Sequence, residues 1–176
     1  MPKVSVIIPT HNRAESLRSA ITSVLNQTYQ DFEIIIIDDA SKDNTREVIA
    51  HFSDTRIKYI YNQLGKGDAG SRNIGIINSS GEYIALLDDD DEWLPEKLEM
   101  QTYLLDNGPS EVGGVYTGRI PIEKVSGRVL PIYNPKTTDL LKENCITTSS
   151  ILIRKKCFEK YGLFDEGMPS CSDYDM

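Results

Sequence analysis

Two short runs, Val4-Ser-Val-Ile-Ile8 and Glu33-Ile-Ile-Ile-Ile37, constrain the fold more than any other feature of the chain. Neither alternates apolar with polar residues, as a half-exposed strand does. Each is a β-branched segment of the kind buried on both faces of a sheet. Pro9 closes the first run, and Asp38-Asp39 closes the second. Between them, Leu17, Ala20, Ile21, Val24 and Leu25 recur at helical spacing, and Asn12 with Glu15 three residues later supplies a helix start. Buried strand, helix and buried strand predict a parallel pair joined by a crossover.

The alternation continues. Ser41 is placed to cap a helix whose inner face is Val48, Ile49 and Phe52. Ile57–Tyr61 reads as a strand and Asn62–Gly70 as a glycine-rich loop. Ser71–Asn78 reads as a short helix with Ile74 and Ile77 on one side, and Tyr83–Leu87 as a further strand. Beyond Pro95, Glu96–Asn107 suits a helix and Val112–Thr117 a strand. Arg119–Pro131, with Ser126-Gly127 inside it, reads as an exposed hairpin. Thr147–Arg154 is then a strand and Lys155–Tyr161 a helix. The fold class is α/β: a mostly parallel central sheet flanked by helices, in one domain over residues 1–176. Such sheets bind ligands beyond the carboxyl ends of their strands, where the strand order reverses. Both acidic clusters, Asp38-Asp39 and Asp88-Asp89-Asp90-Asp91, follow strands directly.

Charge and cysteine content narrow the function. With a net charge of −8, the chain offers no basic surface for nucleic acid. The N-terminal MPKVSVIIPTHNR has too short an apolar run for a signal peptide, and no stretch reaches the ~18 apolar residues of a membrane helix. Cys145, Cys157 and Cys171 have no zinc-ligand spacing and read as reduced thiols of a cytoplasmic protein. His11 and His51 read as bystanders; Trp93 either packs beneath the acidic loop or, with Pro95, shapes a ligand pocket, and Lys66 either is a solvent-exposed loop residue, the preferred reading, or reaches a phosphate.

Each acidic cluster has two readings. Asp88–Asp91 is either a solvated acidic turn or the oxygen ligands of a hard divalent cation. Asp38-Asp39 is either a turn that caps the next helix or a set of acceptors for the N–H groups of a base and the hydroxyls of a ribose.

Four segments in order, VSVIIPTHNR, IIIIDDASKDNT, AGSRNIGI and GEYIALLDDDDEWLPEKLE, resemble the family-two glycosyltransferases of the GT-A fold over essentially the whole chain. The resemblance implies that Pro9 and Thr10 lie near a nucleotide, that Asp39 beside Asp38 contacts the base, and that Arg72 lies close by. It makes Asp88-Asp89-Asp90 the D-x-D motif. Asp89 faces the substrate, Asp90 is the direct ligand of Mn²⁺ or Mg²⁺, and Asp88 and Asp91 complete the metal's surroundings. Thr147–Ile151 matches an acceptor-side strand, and Gly162–Glu166 leads to the catalytic carboxylate. That carboxylate is Asp173, although the usual preceding Glu is here Ser172. Residues 1–111 are then the nucleotide-sugar-binding part and 112–176 the acceptor-side part.

The implied reaction is inverting, metal-dependent transfer of a sugar from a nucleotide diphosphate sugar, UDP-linked, to a carbohydrate or lipid-linked acceptor. The implied setting is polysaccharide synthesis at the inner face of the membrane. Family members continue past this point, so the chain reads as truncated, with any membrane association supplied by the missing part. The alternative is a truncated or degenerate homologue that binds nucleotide sugar or metal without turnover. A sugar-nucleotide pyrophosphorylase would carry a glycine-rich basic first loop in place of Pro9–Arg13. An aspartate-nucleophile phosphatase would carry its acidic pair after the first strand.

Overall fold

The computed structural model describes residues 1–118 and 146–167. β1 (Val4–Thr10), α1 (Ala14–Leu25), β2 (Phe32–Asp38), α2 (Thr45–Ala50), β3 (Ile57–Tyr61), α3 (Gly67–Ile77) and β4 (Tyr83–Leu86) alternate strictly. α4 (Lys97–Asn107), β5 (Gly114–Tyr116), a 3₁₀ turn (Thr148–Ser150), β6 (Ile151–Arg154) and α5 (Lys155–Tyr161) follow. The strands form one sheet in the order β3-β2-β1-β4-β6-β5. β1 pairs in parallel with β2 and β4, and β2 with β3; β6 runs antiparallel to both β4 and β5. The mostly parallel sheet expected from the sequence is present. Its order reverses between β1 and β4.

Every residue of β1 and β2 is buried, and the pleat divides them between two layers. Val4, Val6, Ile8, Ile34, Ile36 and Ala85 pack with Leu17, Ile21 and Val24 of α1 and Leu98 of α4. Ile7, Ile35, Ile37, Ile84 and Leu86 pack with Ala69 and Ile76 of α3 and with Phe164. The continuous apolar runs follow from this, since both faces of each strand have a helix to cover. α3 lies close against β1: a Cβ on Gly75 would meet Ile7 Cγ2 at 2.3 Å.

Several local expectations shift. α3 begins at Gly67, so the glycine-rich loop shortens to Asn62–Lys66. With its phase set by Gly75 against Ile7, Ile76 is the buried residue and Ile77 is 67% exposed. α1 is not capped by Asn12, which adopts φ 54°; the Ala14 N–H donates instead to Asp43 Oδ2. α2 starts at Thr45 rather than from Ser41, because Asp43 Oδ1 accepts from both the N–H and the hydroxyl of Thr45. The Thr147–Arg154 strand is a 3₁₀ turn up to Ser150. The Arg119–Pro131 hairpin, Cys145 and Cys171 lie outside the described residues.

One charged residue inside the sheet ties its amino-terminal edge. Glu33, 4% exposed, accepts from Ser5 Oγ at 2.6 Å and from the Ser80 N–H and hydroxyl at 2.7 Å each, and pairs with Lys58 Nζ at 2.6 Å. Burial alone would raise its carboxyl; Lys58 and the serine donors outweigh that and pull it down from 4.5 to about 2. Because the folded value is depressed, this contribution is complete above about pH 4.5 and is lost as pH falls towards about 2. Glu33→Gln should therefore cost about 2 kcal/mol at neutral pH. In urea denaturation it should also flatten the acid limb of stability over that window, where an unchanged limb would remove Glu33 as its source.

Candidate functional site

The switch point lies where the chain leaves β1 and β4, and the charged residues gather there. Arg13, three residues after β1, reaches across to the acidic run after β4. Its Nη1 donates to Asp89 Oδ1 at 3.0 Å and to Asp90 Oδ2 at 2.8 Å. Arg72, 5% exposed on α3, donates from Nη2 to Asp88 Oδ1 at 2.8 Å. Two guanidinium groups thus offset part of the repulsion among Asp88, Asp89, Asp90 and Asp91. Burial pushes the Asp88 carboxyl up, against the pull of Arg72. It does the same to Asp89, against the Thr10 hydroxyl and Arg13. Asp90 and Asp91 are exposed.

The acidic pair after β2 is spent differently. Asp38, 1% exposed, accepts from the Ser41 N–H at 2.9 Å and the Tyr59 hydroxyl at 2.7 Å. Asp39 accepts from Asn62 Nδ2 at 2.6 Å, from the Lys66 N–H at 2.9 Å and from the Gly67 N–H at 2.8 Å. A carboxylate borrowed from β2 thereby serves the first turn of α3. Pro9 and Thr10 end β1 beside this pair, and the Thr10 carbonyl accepts from the Asp39 N–H at 2.8 Å.

The loops after β1 and β2 interlock. The Asn12 N–H donates to Ser41 Oγ, and Asn12 Oδ1 accepts from the Lys42 N–H. His11 Nδ1 bonds the Asp39 carbonyl, so it is the protonated nitrogen, and Nε2 accepts from Asn12 Nδ2 at 2.8 Å. This lattice holds Asn12 at φ 54° and Ala40 at φ 63°, left-handed conformations that non-glycine residues rarely adopt.

Two further segments complete the rim. Ser149 Oγ accepts from the Asp88 N–H at 3.0 Å. Trp93 Nε1 donates to the Ser149 carbonyl at 2.7 Å, and Gln101 Nε2 to that of Ser150 at 2.8 Å. Trp93 is buried under the acidic loop, as the sequence suggested. Lys97, also buried, donates to Gln101 Oε1 at 2.8 Å and stands over the Trp93 ring at 3.9 Å. On the other side, Asn73 grips Phe164 with paired bonds to its carbonyl and N–H, each 2.9 Å. Glu166 takes Asn73 Nδ2 and Lys66 Nζ, each at 3.2 Å; Lys66 is a solvent-exposed loop residue, as expected, and makes this surface ion pair. The Gly162–Glu166 segment therefore docks beside Arg72. Asp173 itself lies outside the described residues.

Arg13 and Ser149 were missed in the sequence. The signal for Arg13 was available, since residues following two adjacent parallel strands must be neighbours. Ser149 depends on an antiparallel strand placed by long-range pairing, which no local pattern reveals.

Among the described residues, no three acidic, imidazole or thiol side chains form a ready-made metal cage. The donor set still suits a hard cation. Mg²⁺ commonly takes one or two carboxylates and fills its remaining positions with phosphate oxygens and water, and Asp90 offers a carboxylate 56% exposed.

A family model for glycosyl transferase family 2 matches residues 5–162. The chain belongs to that family. A UDP-Glc:alpha-D-GlcNAc-diphosphoundecaprenol beta-1,3-glucosyltransferase of Escherichia coli is 46% identical over 114 residues, 64% of this chain and 45% of that protein. A GalNAc(5)-diNAcBac-PP-undecaprenol beta-1,3-glucosyltransferase of Campylobacter jejuni is 37% identical over 171 residues, 96% of this chain and 53% of that protein. This family-2 chain thus spans about half the length of these relatives.

Among solved structures, S. aureus TarS 1-349 in complex with UDP matches with a TM-score of 0.75 at 21% identity, covering 98% of this chain and 53% of that one. The mannosyltransferase PcManGT from Pyrobaculum calidifontis, in complex with GDP-Man and Mn²⁺, matches with a TM-score of 0.75 at 20% identity, covering 95% and 48%. At those identities the likeness is one of fold, of the GT-A type. No helix among the described residues is long and apolar enough to cross a membrane.

Lys97 supplies a test of the rim. Burial pulls its amine from 10.5 down to about 7. The unfolded chain then holds the extra proton between those values, so the penalty is complete below about pH 7 and fades as pH rises towards 10.5. Stability should rise over this range in the native protein and stay level in Lys97→Met. Parallel profiles by urea denaturation would show that the amine is solvated.

Proposed function

We propose that this chain forms the donor site of an inverting, metal-dependent transferase that moves a glycosyl group from a UDP-sugar to a hydroxyl of a lipid-linked glycan. The observation that carries the reading is the Asp88–Asp91 run at the β1/β4 switch point of a family-2 domain, with only part of its charge offset by Arg13 and Arg72. The names of the Escherichia coli and Campylobacter jejuni relatives, both beta-1,3-glucosyltransferases of undecaprenol-linked substrates, support the lipid-linked acceptor class and, through the lipid, a setting at a membrane. The UDP complex of TarS supports the nucleotide, and the Mn²⁺ complex of PcManGT supports the cation.

In this reading the nucleotide lies along the ends of β1 and β2, beside Pro9 and Thr10. Asp39 receives the base or ribose by giving up one N–H contact from the Asn62–Gly67 loop, and buried Asp38 holds the turn beneath it. Arg72 fixes Asp88, while Asp89 borders the diphosphate. Asp88 and Asp90 would hold a Mn²⁺ or Mg²⁺, with Asp91 as a neighbour. When bound, the cation supplies charge neutralisation for the leaving diphosphate. Asp173 takes the proton of the acceptor hydroxyl as its oxygen attacks the anomeric carbon. The bond from that carbon to the diphosphate oxygen breaks on the opposite face, which inverts the configuration.

The test is transfer of labelled glucose from UDP-glucose to a synthetic lipid-diphosphate GlcNAc, with the anomer of the product read by NMR. A β-linked product, and a rate reduced at least about 100-fold by Asp173→Asn, is the expected result. An α-linked product would refute inversion. Donor binding with no transfer would favour a homologue that binds without turnover.

A further inference from the structure

Arg13 does something the catalytic reading leaves unexplained. Its single Nη1 sits between Asp89 Oδ1 and Asp90 Oδ2, at 3.0 and 2.8 Å. This is a cation bridging two carboxylates at the mouth of the switch point, and one of the two is Asp90, which would hold the divalent ion. The contact is not forced by packing, because the Arg13 side chain is 55% exposed and that of Asp90 is 56% exposed. The backbone there is fixed independently: Arg13 O accepts from the Leu17 N–H at 3.0 Å and from Ser16 Oγ at 3.2 Å. The guanidinium can therefore leave without disturbing α1. Arg72 differs. It is 5% exposed, its guanidinium lies 6.0 Å from the Phe164 ring centroid, and it holds Asp88 from the protein side.

We infer that Arg13 is a resident counter-cation of the acidic run, which a divalent ion must displace from Asp90 in order to bind. This rests on the reading of Asp90 as a metal ligand. An ion that takes Asp90 Oδ2 competes with the guanidinium for that oxygen, and repulsion between the two positive charges at contact distance disfavours joint occupancy. The arrangement has a physical logic. Without a cation, the adjacent carboxylates would splay apart, and Asp89, buried behind the others, would lose its guanidinium partner. Arg13 holds the run compact until donor and metal arrive. The cost is weaker binding of the metal alone, and because the pair is half exposed that cost is modest.

The test is Mn²⁺ binding without nucleotide, followed by electron paramagnetic resonance of the free ion, in the native protein and in Arg13→Gln, Arg13→Ala and Asp90→Asn. Both Arg13 variants should bind Mn²⁺ about fivefold more tightly than the native protein. Asp90→Asn should bind it least. In a Mg²⁺ titration, the Arg13 side-chain ¹⁵N resonance should move as the ion saturates the site. Mn²⁺ affinity lost in Asp90→Asn but unchanged or weakened in both Arg13 variants would overturn the displacement while leaving the metal reading intact. Affinity that Asp90→Asn does not alter would remove the metal reading, and the displacement with it. Circular dichroism of each variant establishes that the fold persists.

Discussion

Burial of β1 on both faces is the constraint from which the rest of the structure follows. A strand covered on both faces leaves little room for functional groups along its length, since most of its side chains belong to one apolar layer or the other; within β1 before Pro9 only Ser5, bonded to Glu33, departs from this. Val4, Val6 and Ile8 serve the α1 side, and Ile7 serves α3. Chemistry is displaced to where the strands end. Because β2 lies on one side of β1 and β4 on the other, the loops after all three converge on one edge. The charged residues at that edge are those the core excluded.

At that edge the two acidic clusters separate by what they bond. Asp38, Asp39 and Asp43 accept N–H groups from loops and from the first turns of helices, so their charge is largely committed to backbone. Asp88, Asp89 and Asp90 meet guanidinium groups instead. An arginine can exchange a carboxylate for a phosphate oxygen, or yield to a metal ion, whereas a backbone N–H holding a loop can do so only if the loop moves. The cluster after β4 is therefore the exchangeable one.

The sequence revealed most where local pattern and burial agree. The buried β-branched runs of β1 and β2, the helical spacing of α1, and the positions of both acidic clusters at strand ends all appear in the structure. It revealed least where a contact joins distant segments. Asn12 carries the residue type of a helix cap, yet its side chain locks the opposite loop while Asp43 supplies the bond to α1. Ile77 satisfies helical spacing as well as Ile76 does, and the close approach of Gly75 to Ile7 decides between them. Lys66 is the exposed loop lysine its sequence suggests, yet its partner Glu166 lies 100 residues further along the chain. Burial pattern can be read from neighbours in sequence; loop interlocking requires neighbours in space.

Calorimetric titration of UDP with and without Mn²⁺ tests whether this edge forms a nucleotide diphosphate site completed by a cation. A site of this kind binds UDP saturably and only with the metal, more weakly in Asp39→Ala and not at all in Asp90→Ala. Equal binding with and without Mn²⁺, unaffected by Asp90→Ala, would contradict it.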